Sequence, residues 1–136
     1  LGLFSSEAVA VELRNRGWLA DANIEATRDF FSHRAVTLVS VDAPRSEHFT
    51  VMPSLDEVTN SALSYLRLHG RDEKAYTTGR TVAERFDYDY SDDELAEVAT
   101  RVERLARETE KIHVVFNNNR SDYAPRAAER FRRMVS

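Results

Sequence analysis

Four short apolar runs divide the chain: VAVEL at Val9–Leu13, VTLVSVD at Val36–Asp42, YLRLHG at Tyr65–Gly70 and IHVVFNN at Ile112–Asn118. Their length and their content of β-branched residues predict strands. Polar, helix-length stretches lie between them. ANIEATRDFFSHR sets Ile24, Phe30 and Phe31 toward one side of a helix, with Asp21 or Asn23 as its N-cap. Ser91 followed by Glu94 is a capping box, and Leu95, Val98, Val102 and Leu105 form the apolar stripe of a helix running to about Glu110. APRAAERFRRMV predicts a last helix with Pro125 in its first turn. Strands alternating with helices predict an α/β fold with a parallel sheet, in one domain over residues 1–136.

Two connections exceed the usual loop length. Residues 43–63 hold Pro44, Pro53 and an expected short helical piece over Ser54–Asn60, and residues 71–90 are long and polar. Long loops after strands in such folds commonly carry function.

The alternation of side chains along a strand then sorts the residues. Val9, Val11, Leu13, Leu66 and Leu68 are expected to face covering helices, leaving Ala10, Glu12, Arg14, Tyr65, Arg67 and His69 on the opposite face. Polar residues gather at the carboxyl end of every run: Glu12 and Arg14, Asp42, Arg67 and His69, Asn117 and Asn118. That rim is where parallel α/β folds place their sites. Glu12, Arg14 and Arg67 are expected to share hydrogen bonds, because a buried charge without a partner is costly.

Composition narrows the classes. With 42% hydrophobic and 31% charged residues in 136, the balance is that of a water-soluble domain, and no run approaches the roughly 20 apolar residues of a membrane helix. The absence of cysteine excludes disulfides and thiolate metal sites and fits a reducing cytoplasm. The start at Leu1, without the basic and apolar regions of a signal peptide, is read as a cut rather than a natural terminus. A net charge of −4 argues against a strongly basic nucleic-acid binder, and Arg126, Arg130, Arg132 and Arg133 read as a solvated helix face.

The motifs VELRNRGW, VSVDAP, SYLRLHGR, ERFDYDYSDDEL and VVFNNNRSDYAPRAA follow one another as in the YecE-like family, the domain of unknown function 72, which the chain resembles over nearly its whole length. The resemblance implies a TIM-type (β/α) barrel with a fold-level likeness to the xylose isomerase and endonuclease IV barrels, and no established biochemical function. These motifs belong to the C-terminal half of the family domain. The chain is therefore expected to be about four strands of a barrel that takes about 250 residues when complete. A homodimer or a missing N-terminal half is the partner expected to close it.

Three functional readings stay open. The first is an enzyme for a phosphate or phosphodiester substrate, with Arg14, Arg67 and Arg71 holding the anion, Asn117 and Asn118 orienting the ligand, and Glu12, Asp42 and His69 as acid, base or divalent-metal ligands. The second is a nucleic-acid binding module without catalysis, in which Trp18, Tyr88 or Tyr90 stack on bases. The third is a fragment without activity. His33, His48 and His113 are read as structural or solvated.

Overall fold

The computed structural model describes residues 8–136. The readings of the chain start and of a signal peptide rest largely on residues outside that range.

The strands are β1 (Ala10–Val11), β2 (Thr37–Leu38), β3 (Ser40–Asp42), β4 (Ser64–Leu68) and β5 (Ile112–Phe116). All pairings among them are parallel: β1 with β2, and β3 with β4 and β4 with β5. The run expected as one strand over Val36–Asp42 is thus β2 and β3 in succession. Its first half bonds β1 and its second half bonds β4, with Val39 N donating to Val11 O at 2.9 Å between them. The mixed α/β class with parallel strands is as expected.

The helices are α1 (Ile24–Ser32), α2 (Glu73–Thr78), α3 (Val82–Arg85), α4 (Asp92–Ala106) and α5 (Tyr123–Val135). α4 begins where Ser91 and Glu94 close their reciprocal capping box. Its stripe seats Leu95, Val98 and Ala99 on Leu66 and Leu68 of β4, and Ala127 and Phe131 of α5 complete this core. Leu66 and Leu68 are fully buried, each contributing about 2 kcal/mol. A second core joins Phe31 of α1 to Val36 and Leu38, with Val9 and Val11 packed alongside. The leucine and valine positions therefore face helices as period two predicts.

Three expectations are corrected. Residues 54–60 form no helix. The segment is irregular, and Asp56 reaches Arg101 and Arg104 of α4 while its neighbour Glu57 reaches Arg28 of α1; an isolated helix of that length would have little stability of its own. Residues 71–90 are not a plain loop but hold α2 and α3, started by Asp72, which accepts from Ala75 N, and Thr81, which accepts from Glu84 N. In α1, Phe31 is buried but Phe30 is 48% exposed, since one residue turns the side chain by about 100° around the helix.

Among the described residues no helix is long and apolar enough to cross a membrane.

Candidate functional site

The parallel register decides which polar side chains meet. Val41 pairs with Arg67 and Arg67 with Val115, so the face opposite the α4–α5 core carries Arg67, with His69 two residues on and Asn117 two beyond Val115. Glu12 reaches them from just past the end of β1.

Glu12 is the centre of this group. Its Oε1 accepts from Arg14 Nη1 at 2.5 Å and lies 3.1 Å from His69 Nε2, and its Oε2 accepts from Arg67 Nη1 at 2.5 Å. The expected sharing among Glu12, Arg14 and Arg67 is present. Burial would raise the Glu12 pKa, but the hydrogen bonds from His69 and Arg14 and the charge of Arg67 outweigh it and hold it at about 2. Glu12 is therefore an ionised carboxylate, suited to holding guanidinium groups or accepting from a hydroxyl and unsuited to giving up a proton.

Arg67 continues the circuit by donating from Nη2 to Asn117 Oδ1 at 2.9 Å, and Asn117 Nδ2 lies 3.2 Å from His69 Nδ1. A guanidinium only donates, so it turns the amide oxygen toward itself and the amide NH₂ toward the imidazole. His69 Nδ1 must then accept, which leaves the proton on Nε2 facing Glu12. The His69 ring is 1% exposed because Phe86 stacks on it at 5.1 Å and Tyr76 meets it edge-on at 6.1 Å. Arg14 and Arg67 remain accessible, their side chains 57% and 30% exposed.

Asp42 and Arg71 lie in a different group. Asp42 pairs with Leu68 and so points to the helix side of the sheet, away from Glu12. Its Oδ1 accepts from Arg71 Nη2 and Arg101 Nη1, and its Oδ2 accepts from Arg71 Nε and from the Tyr90 hydroxyl at 2.7 Å. Arg101 also bonds Asp56, and Arg71 also bonds Glu97. A cleft of about 620 Å³ opens here between Pro44, Arg71, Arg101 and Arg104. Of its four arginines, Arg71, Arg101 and Arg104 already carry carboxylates, so much of its charge is spent internally. The hydrogen bond to Asp42 raises the Arg71 pKa despite burial, so Arg71 stays charged.

Asn118 is 2% exposed and neither of its amide atoms has a protein partner. It packs near Gly70, whose φ of +93° and contact with Tyr88 exclude a side chain. Tyr90 is 1% exposed and donates to Asp42 while accepting from Gly70 N, a packing and bracing position rather than a stacking one. Trp18 is 58% exposed on the far side of β1, in an apolar groove with Val11 and Phe30. Among the described residues no three His, Asp or Glu side chains come together as a set that could hold a metal ion.

Sequence reasoning missed Tyr76, Phe86, Arg101 and Asp56. The capping pattern Thr81-x-x-Glu84 was the available signal for the helix that presents Phe86, and the helical position of Arg101 on α4 was the signal for its reach to Asp42.

The family model described as protein of unknown function DUF72 matches residues 1–136. UPF0759 protein YunF of Bacillus subtilis (strain 168) is 27% identical over 114 residues, covering 81% of this chain and 40% of that protein. The crystal structure of a DUF72 family protein from Enterococcus faecalis V583 superposes with a TM-score of 0.90 at 26% identity, covering 98% of this chain and 49% of that one. A DUF72 family protein from Thermotoga maritima MSB8 gives a TM-score of 0.83 at 30% identity, with 98% and 48% covered. The chain thus spans about half the length of the solved relatives.

Proposed function

The chain belongs to the DUF72 family, proteins of unknown function, and from that premise we propose that it carries the anion-binding rim of an enzyme for a phosphate-bearing substrate. The parallel βα units are, on this reading, half of a TIM-type barrel. A second copy or a further half of the domain completes the rim.

One observation carries the proposal: two partly exposed guanidinium groups, Arg14 and Arg67, converge on the single carboxylate of Glu12 at the carboxyl ends of the strands. Two cations around one anion leave a net positive charge, and guanidinium edges match phosphate oxygens. Asn117 and His69 fix the direction of Arg67 and Glu12 without adding charge of opposite sign. Pre-set donors of this kind bind an anion with little reorganisation. Asp42 and Arg71 brace the neighbouring α4 side of the rim.

The test is titration of the chain with inorganic phosphate by calorimetry, with circular dichroism as a control of folding. Arg67→Ala is expected to lose most of the affinity and keep the fold. Equal affinity in the variant would overturn the anion rim.

A further inference from the structure

Beside the Glu12 group lies a cavity of about 220 Å³ lined by Arg14, His48, Thr50, Tyr76, Arg85 and Phe86, with Thr77. No carboxylate lines it. Three separate stretches of chain bring donors to it: the end of β1 supplies Arg14, the connection after β3 supplies His48 and Thr50, and α2–α3 supplies Tyr76 and Arg85.

Arg14, Arg85 and His48 are each set by a bond on another side. Arg14 gives Nη1 to Glu12 and keeps its remaining donors on a largely exposed side chain. Arg85 is anchored by Nε to Gly79 O at 2.8 Å, and its guanidinium has no acidic partner among the described residues. His48 Nδ1 lies 2.8 Å from Thr50 Oγ1 and accepts from Thr50 N at 3.4 Å. The ring proton therefore sits on Nε2, which is left to donate. Tyr76 is 8% exposed, and its hydroxyl has no protein partner among the described residues. Burial raises the phenol pKa, against the pull of Arg14, Arg67 and Arg85, so the hydroxyl keeps its proton.

We infer that this cavity receives the terminal phosphate of a phosphomonoester, seated between Arg14 and Arg85 with His48 Nε2 and the Tyr76 hydroxyl as further donors. This rests on the anion-rim reading and extends it to a substrate class. A cavity of about 220 Å³ has room for about seven waters at about 30 Å³ each, enough for one phosphate group and a few attached atoms. A phosphodiester needs a path for an ester group on both sides, whereas donors converging from three directions enclose a terminal group. Arg14 belongs to both the cavity and the Glu12 group, so the rest of such a substrate would lie toward Glu12, Arg67 and Asn117.

The experiment is calorimetric titration of the whole chain with inorganic phosphate, methyl phosphate and dimethyl phosphate. Tyr76→Phe removes one donor and keeps the buried ring, and His48→Phe removes another and keeps the ring against Phe49; Arg85→Gln removes a charge. The wild type is expected to bind the first two ligands and not the third. The first two variants are each expected to weaken methyl phosphate about fivefold or more, and Arg85→Gln about tenfold or more. Unchanged affinity in Tyr76→Phe and His48→Phe overturns the cavity, whether or not Arg85→Gln folds. If Arg67→Ala alone loses binding, the rim stands and the cavity falls; if the cavity variants lose binding and Arg67→Ala does not, the reverse holds. Dimethyl phosphate binding as tightly as methyl phosphate overturns the monoester assignment, and no phosphate binding by the wild type overturns both readings.

Discussion

Asn117 Nδ2 lies 3.2 Å from His69 Nδ1, and this contact sets the proton on a buried imidazole. Arg67, donating to Asn117 Oδ1, fixes the amide so that only its NH₂ can face the ring. The proton is thereby held on Nε2, against Glu12. Nitrogen-15 spectra of the imidazole are expected to show a protonated Nε2 and a bare Nδ1. In Asn117→Asp both ring nitrogens face carboxylate oxygens and both are expected to carry protons. A bare Nδ1 in that variant would contradict the assignment.

Acid stability follows from Glu12. Its folded-state pKa of about 2 lies below the ordinary 4.5, so between these values the unfolded chain binds the extra proton. The stabilisation is therefore full above pH 4.5 and is lost as pH falls through about 2. Its upper size is about 3 kcal/mol. Urea unfolding over this range should show a steeper loss of stability in the wild type than in Glu12→Gln, and the two slopes should coincide above it.

Asp42 is expected to matter for stability whatever it does for ligands. Its side chain is 3% exposed and faces Arg71 and Arg101, 24% and 14% exposed. Asp42→Ala leaves both guanidinium groups without this partner, and the loss should be about 3 kcal/mol or more in urea unfolding. Tyr90→Phe removes one bond to Asp42 and the acceptor of Gly70 N, and should cost about 1–3 kcal/mol.

Gly70 admits no side chain. Its φ is +93°, and an added Cβ would lie 2.5 Å from Tyr88 Cβ. Gly70→Ala combines backbone strain with overpacking and should lower stability by about 2–5 kcal/mol, read as a drop in Tm. Tyr88→Ala together with Gly70→Ala removes the contact with Tyr88 Cγ but keeps Tyr88 Cβ at 2.5 Å, so little of the lost stability should return.

What was legible in the chain came from local rules. Ser91 and Glu94 mark the start of α4 because a capping box needs only four residues. Leu66 and Leu68 separate from Arg67 and His69 because alternation is a property of a single strand. The family motifs, read in order from VELRNRGW to VVFNNNRSDYAPRAA, likewise need no partner. The segment over residues 54–60 misled because Asp56 and Glu57 are satisfied by arginines on two different helices, and no local pattern shows that.

The sequence by itself determined the βα alternation, the helix-facing residues and the gathering of polar side chains at the strand ends. Only the tertiary structure decided that these polar residues form two groups rather than one. Register is the reason: Asp42 pairs with Leu68 and turns to the helices, while Arg67 pairs with Val41 and turns away from them. Only the folding of α2 and α3 over the strand ends, with Tyr76 and Phe86 against His69, buried that ring and built the cavity beside Arg14. Within the Glu12 group, Arg67 bonds residues 55 and 50 positions away, and the physics of a single segment cannot specify such pairings.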